Sequence, residues 1–130
     1  VIHAIGCGPL VRPEHLAGHL NALPARVLIR VYQRMPQSQF DPDLPAFAPE
    51  TVQQLADLGV LLIGTDSASI DPANSKSLDS HQVIRRRSMR VLENLLLDDV
   101  PQGDYELIAL PLKLMTADAS PVRAILRTLP

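Results

Sequence analysis

The apolar positions change period several times along the 130-residue chain. "VIHAI" alternates and is rich in β-branched residues, and Gly6 and Gly8 end it, so a strand is expected from Val1 to Ile5. Leu16, Leu20 and Leu23 then recur at helical spacing behind Pro13, a favourable first-turn residue, and predict a helix in "RPEHLAGHLNAL". "RVLIRVY", from Arg26 to Tyr32, predicts a second strand. Residues 34–48 are proline-rich, show no period and read as a surface loop. In "APETVQQLADLG", Pro49 and Glu50 suit a first helical turn, Val52, Leu55 and Leu58 form an apolar face, and Gly59 caps the end. "VLLIGTD" is apolar almost throughout, the pattern of a central strand covered on both sides. "YELIALPLKL" predicts a last long strand near 105–114. "SPVRAILRTL" predicts a closing helix, with Ser120 as N-cap and Pro121 at the first helical position.

Strands alternating with helices imply an α/β fold, a mixed sheet with flanking helices, in a single domain over residues 1–130. Twelve prolines keep every element short. With 46% hydrophobic but only 3% aromatic residues, the core must be aliphatic. No apolar run approaches the ~20 residues of a membrane span. A net charge of −2 argues against a general nucleic-acid binder. The single cysteine, Cys7, rules out an internal disulfide and fits a reducing cytoplasm. "VIHAIGCGPLVRPEHL" lacks a basic leader and a long apolar stretch, so no signal peptide is expected. A strand beginning at the first residue, without an initiator methionine, points either to a piece of a longer protein or to a chain trimmed to an ordered core.

The chemistry concentrates in "SKSLDSHQVIRRRSMRVLENLLLDD", residues 75–99. His81 opens this stretch, and Glu93 stands inside an apolar run. On one unbroken helix the pair would lie about 18 Å apart along the axis, too far for two ligands each within about 2.2 Å of one ion. A break between them brings them within reach. Asp79 or Ser80 caps a helix through "HQVIRRR", Ser88 is a weak helix former, and "MRVLE" has the apolar content of a strand; "VLENLLL" continues a helix equally well, so the local pattern leaves both open. The bland readings are a cap-neighbour histidine, and a glutamate paired with Arg85, Arg86, Arg87 or Arg90 on a solvated basic face.

"GVLLIGTDSASIDPANSKSLDSH", "MRVLENLLLDDVPQGDYELIALPLKL" and "DASPVRAILRTLP" together closely resemble the bacterial kynurenine formamidases, of the cyclase-like metal-dependent hydrolases. The resemblance spans essentially the whole chain and is densest from Gly59 onward. It implies a swivelling β/β/α fold with its N-terminal part missing here, and hydrolysis of N-formyl-L-kynurenine to L-kynurenine and formate in tryptophan degradation. It also implies a binuclear Zn²⁺ centre, two ions per subunit, in a cytoplasmic homodimer. The matching metal ligands are His81, in "LDSH", and Glu93, in "VLEN". The remaining ligands and the general base belong to a motif H-x-G-T-H-x-D-x-P-x-H, and nothing in these residues matches it. No catalytic residue is therefore assigned, and the chain alone is expected to be inactive. Asp66 and Asp79 are candidates to hold the second nitrogen of His81, against their reading as turn or cap residues.

Arg30 and Tyr32 are weaker candidates for facing substrate, with a surface ion pair as the alternative. Arg123 reads as a salt-bridge residue. "GCGP" lacks the third glycine of a dinucleotide loop, and Pro9 removes an amide donor. Cys7 has no basic neighbour to activate it. Two rival functions remain: an isatin-type amide or lactam hydrolase on the same scaffold, and a truncated, non-catalytic module.

Overall fold

A computed structural model describes residues 1–130. Eight strands form three sheets. β1 (Ile2–His3), β3 (Arg26–Arg30), β5 (Leu62–Thr65) and β6 (Arg90–Leu92) make a four-stranded sheet in the order β1-β3-β5-β6. All its pairings are parallel. β2 (Leu10–Val11) and β4 (Ala46–Phe47) form a short parallel pair. β7 (Tyr105–Pro111) and β8 (Val122–Thr128) form an antiparallel hairpin. The helices are α1 (Pro13–Leu16), a 3₁₀ turn (Ala17–His19), α2 (Pro49–Asp57) and α3 (Asp79–Arg86).

Parallel neighbours need crossover connections, and α2 and α3 supply two of them, between β3 and β5 and between β5 and β6. Alternation along β3 divides the interior. Val27 and Ile29 join Ile63, Val52, Leu55, Val83 and Met89 in the main core. Leu28 faces the other way, where Leu95 and Leu97 pack with Leu107, Ala124 and Leu126 of the hairpin. The layers therefore run hairpin, parallel sheet, helices: a β/β/α order. β3 and β5 are covered on both faces, which accounts for their unbroken apolar runs. No helix is long and apolar enough to cross a membrane.

Four expectations need correction. The parallel and antiparallel strands occupy separate sheets rather than one mixed sheet. Residues 122–128 form a strand, not a helix: Val122, Ala124 and Leu126 alternate inward, and every residue of β8 pairs with β7. Ser120 accordingly caps no helix; its hydroxyl accepts the Leu112 N–H at 3.2 Å. The first predicted helix shortens to a single turn plus a 3₁₀ turn, since Gly18 and Asn21 are poor helix formers and Ala22 turns left-handed at φ 58°. Leu58 does not belong to the apolar face of α2 and is 46% exposed, whereas Val52 and Leu55 are fully buried.

Gly64, in the middle of β5, sets how closely the sheet approaches the hairpin layer. A Cβ there would sit 2.3 Å from Leu28 Cδ2 and 2.9 Å from Leu95 Cδ1. Gly64→Ala is expected to destabilise the chain by about 1–3 kcal/mol through overpacking. The urea midpoint would show this, and an unchanged midpoint would mean that both leucines relax freely.

Candidate metal centre

The helix α3 ends at Arg86, and β6 begins at Arg90. Ser88 makes the reversal in a left-handed conformation at φ 53°, and the buried Met89 donates its N–H back to the Ile84 carbonyl at 2.9 Å. The chain thus returns beside itself, and the imidazole Nε2 of His81 lies 3.3 Å from Glu93 Oε1. Asn94, at φ 63°, then turns the backbone away directly after Glu93.

The opposite ring nitrogen is held. His81 Nδ1 lies 2.6 Å from Asp71 Oδ2. The same carboxylate accepts the backbone N–H groups of Ser80 at 2.9 Å and His81 at 3.0 Å. Asp71 is 2% exposed, and these three donors offset the cost of burying its charge. It is also the effective cap of α3: the N-cap residue, Leu78, is left-handed and has no capping side chain. The expected caps, Asp79 and Ser80, do not act as such. Asp79 lies in the first turn, and the Ser80 hydroxyl donates instead to the Phe47 carbonyl at 2.7 Å.

Glu93 finds no arginine partner. Its Oε1 accepts the Ile70 N–H at 2.8 Å and faces His81. Of the basic run, Arg87 pairs with Asp57 at 2.8 Å and Arg90 donates to the Met89 carbonyl at 2.8 Å, leaving Arg85 and Arg86 on an exposed face. Asp66 does not reach His81. Its carboxylate accepts the N–H groups of Val31 at 2.8 Å and Tyr32 at 3.3 Å, and burial pushes its pKa up. Asp71 is the residue that sequence reasoning missed. Its one local trace is an acid in the otherwise apolar "SIDP", because its partners lie nine and ten positions away.

The remaining candidates are structural. Arg30 is buried, and its guanidinium donates to the carbonyls of Tyr32 and Gln33, so it is no surface ion pair. Tyr32 donates its hydroxyl to Asp41 at 2.7 Å. Arg123 is exposed and makes no ion pair. Burial pushes the Cys7 thiol up, opposite to an activated nucleophile.

An imidazole nitrogen and a carboxylate oxygen are the donor types zinc takes, and two such donors about 2.0–2.2 Å from one tetrahedral ion lie roughly 3.3–3.5 Å apart. The observed 3.3 Å fits that spacing. No group of three or more His, Cys, Asp or Glu side chains is placed to hold a metal ion. The pair fits as half of a zinc site, two ligands of about four.

The pair stands at the carboxyl-terminal edge of the parallel sheet: Glu93 follows the last residue of β6, and Asp66 follows the last residue of β5. Open α/β sheets bind ligands at this edge. The chain is 70% identical over 132 residues to the kynurenine formamidase of Paracidovorax citrulli, a match covering 98% of this chain and 61% of that protein. It is 70% identical over 129 residues to that of Delftia acidovorans and 63% identical over 129 residues to that of Bordetella pertussis. These cover 99% of this chain and 61% and 62% of those proteins.

The chain resembles the kynurenine formamidases from end to end.

It spans about three-fifths of the length of these relatives. Among solved structures it is similar to a potential metal-dependent hydrolase with cyclase activity, at TM-score 0.80 and 27% identity over 92% of this chain and 58% of that one. A predicted metal-dependent hydrolase from Bacillus stearothermophilus shares the fold at TM-score 0.77 and 24% identity, over 91% of this chain and 57% of that one. No protein-family model matches. The cyclase-like fold expected from the kynurenine formamidase resemblance is thus the fold observed.

Without metal, the Glu93 contact first, and then Asp71, push the His81 pKa from 6.5 up to about 9, against burial. A raised folded-state pKa stabilises the fold below the unfolded value, and the gain fades as pH climbs through the folded value. The stability difference between the metal-free chain and its His81→Gln variant is therefore expected to be largest below pH 6.5 and to decline towards about pH 9. Urea unfolding across that range measures it; a flat difference would contradict the imidazolium clamp.

Proposed function

We propose that this chain is part of a zinc-dependent hydrolase that cleaves N-formyl-L-kynurenine to L-kynurenine and formate. The carrying observation is the 3.3 Å approach of His81 Nε2 to Glu93 Oε1, with Asp71 on the other ring nitrogen, in a chain 70% identical to kynurenine formamidases. His81 and Glu93 would hold the metal. Zinc, when bound, supplies Lewis acidity towards the formyl carbonyl and the attacking water.

The protein's own contribution is orientation. Asp71 accepts the Nδ1 proton, which fixes the tautomer and leaves Nε2 with a free lone pair. The Ile70 N–H holds Glu93 Oε1 beside it. Overall, one water adds to the formyl carbon, the C–N bond breaks, and the aryl nitrogen leaves with a proton as the amine.

Two zinc ions per subunit are supported by the resemblance and by the ability of a carboxylate to bridge metals. A homodimer follows from the same resemblance. A cytoplasmic location is supported by the lone, unpaired Cys7. Two ligands fall short of the four that zinc takes, so the 130-residue chain alone is inactive in this reading.

In a protein of the relatives' full length carrying this sequence, His81→Ala or Glu93→Ala should abolish hydrolysis and lower zinc content. Asp71→Asn should weaken zinc affinity by about 10–100-fold. Zinc content by elemental analysis, beside formamide hydrolysis, tests both; unchanged zinc and activity in the two alanine variants would refute the proposal.

A further inference from the structure

A cleft of about 300 Å³ opens under the loop after β3, lined by Tyr32, Met35, Phe40, Asp41, Asp66 and Asn94. It shares the carboxyl-terminal sheet edge with the candidate metal centre. Asn94 directly follows Glu93 and donates its N–H to the Ser67 carbonyl at 2.8 Å. The cleft wall and the metal-centre wall are therefore neighbouring turns of the same two segments.

The chain has only two Phe and two Tyr. Phe47 is spent in the core, and Tyr105 donates its hydroxyl to the Pro101 carbonyl. Tyr32 and Phe40, the other two, both line this cleft. Phe40 is 65% exposed and belongs to no core cluster, so packing does not explain it. The loop carrying it is pinned open rather than collapsed. Asp98 accepts the Met35 N–H at 2.8 Å at the start of the loop, and Asp41 accepts the Tyr32 hydroxyl at 2.7 Å near its middle. Aromatic walls held apart around a space at the small end of ligand pockets match a single flat ring.

We propose that the cleft between Tyr32 and Phe40 seats the aryl ring of the formamide substrate, and that Phe40 makes the site prefer aromatic over aliphatic formamides. This rests on the proposed function, which puts a bond to an aryl nitrogen at the adjacent metal centre. Asp41 is a positioning residue: it holds the Tyr32 ring as one wall and does not touch substrate.

The test uses the 130-residue chain, with L-kynurenine, which keeps the ring, titrated by calorimetry. Zinc binding is measured separately by equilibrium dialysis. Kynurenine binding should weaken about five- to tenfold in Phe40→Ala, the size of one aromatic contact, and recover in Phe40→Tyr. Zinc affinity should be equal in all three proteins. No kynurenine binding by the parent chain, or Phe40→Ala binding as tightly as the parent, overturns the aryl seat. If zinc still binds and is lost in His81→Ala, the metal reading survives that failure. Phe40-dependent kynurenine binding without any zinc binding supports the seat and removes the metal reading.

Discussion

One buried carboxylate organises the functional edge of this protein. Asp71 receives the first free N–H groups of α3 and the imidazole of His81 on the same two oxygens. Capping and ring orientation are thereby one interaction. The helix cannot shift along its axis without pulling the ring, and the ring cannot flip without leaving a buried charge short of a donor. Such a loss costs about 1–3 kcal/mol, a large share of the stability of a small domain. The loop bearing Asp71 is anchored in turn: Ile70 accepts the Phe47 N–H at 2.8 Å through its carbonyl and donates its own N–H to Glu93. Both members of the candidate metal pair are thus referenced to residues 70 and 71.

The layered architecture explains why this edge stays available. β3 and β5 are covered by helices on one face and by the hairpin on the other. Their ends are what remain open. A parallel sheet sends its strand ends to the same side, so Tyr32, Asp66 and Glu93 gather there although they are far apart in sequence. The cleft and the metal pair are two parts of a single rim.

Much of this was legible in the sequence. α2 was fixed by Pro49, its apolar spacing and Gly59, which takes φ +88° as a glycine cap does. β3 and β5 announced themselves as apolar runs. The approach of His81 to Glu93 depended on a break near Ser88, and periodicity left that break open; the left-handed turn there is a tertiary choice that buries Met89. β8 escaped because "VRAILRTL" satisfies both a helical and an alternating pattern, and only its pairing with β7 decides between them. Asp71 escaped for a different reason. Helix-start signals are sought at the helix, and this cap comes from a separate loop.

The hairpin has a consequence of its own. β7 and β8 pair only with each other, so both outer rims of the ribbon carry backbone amides and carbonyls with no strand alongside. Leu110, at 77% exposure, and Ile125 add apolar surface to it. Ribbons of this kind invite cross-molecular strand addition in crowded solution, and charged side chains such as Glu106, Arg123 and Arg127 are the usual brake. The colloidal behaviour of the chain is thus governed by a region on the far side of the sheet from the helices, largely independent of the chemistry at the rim.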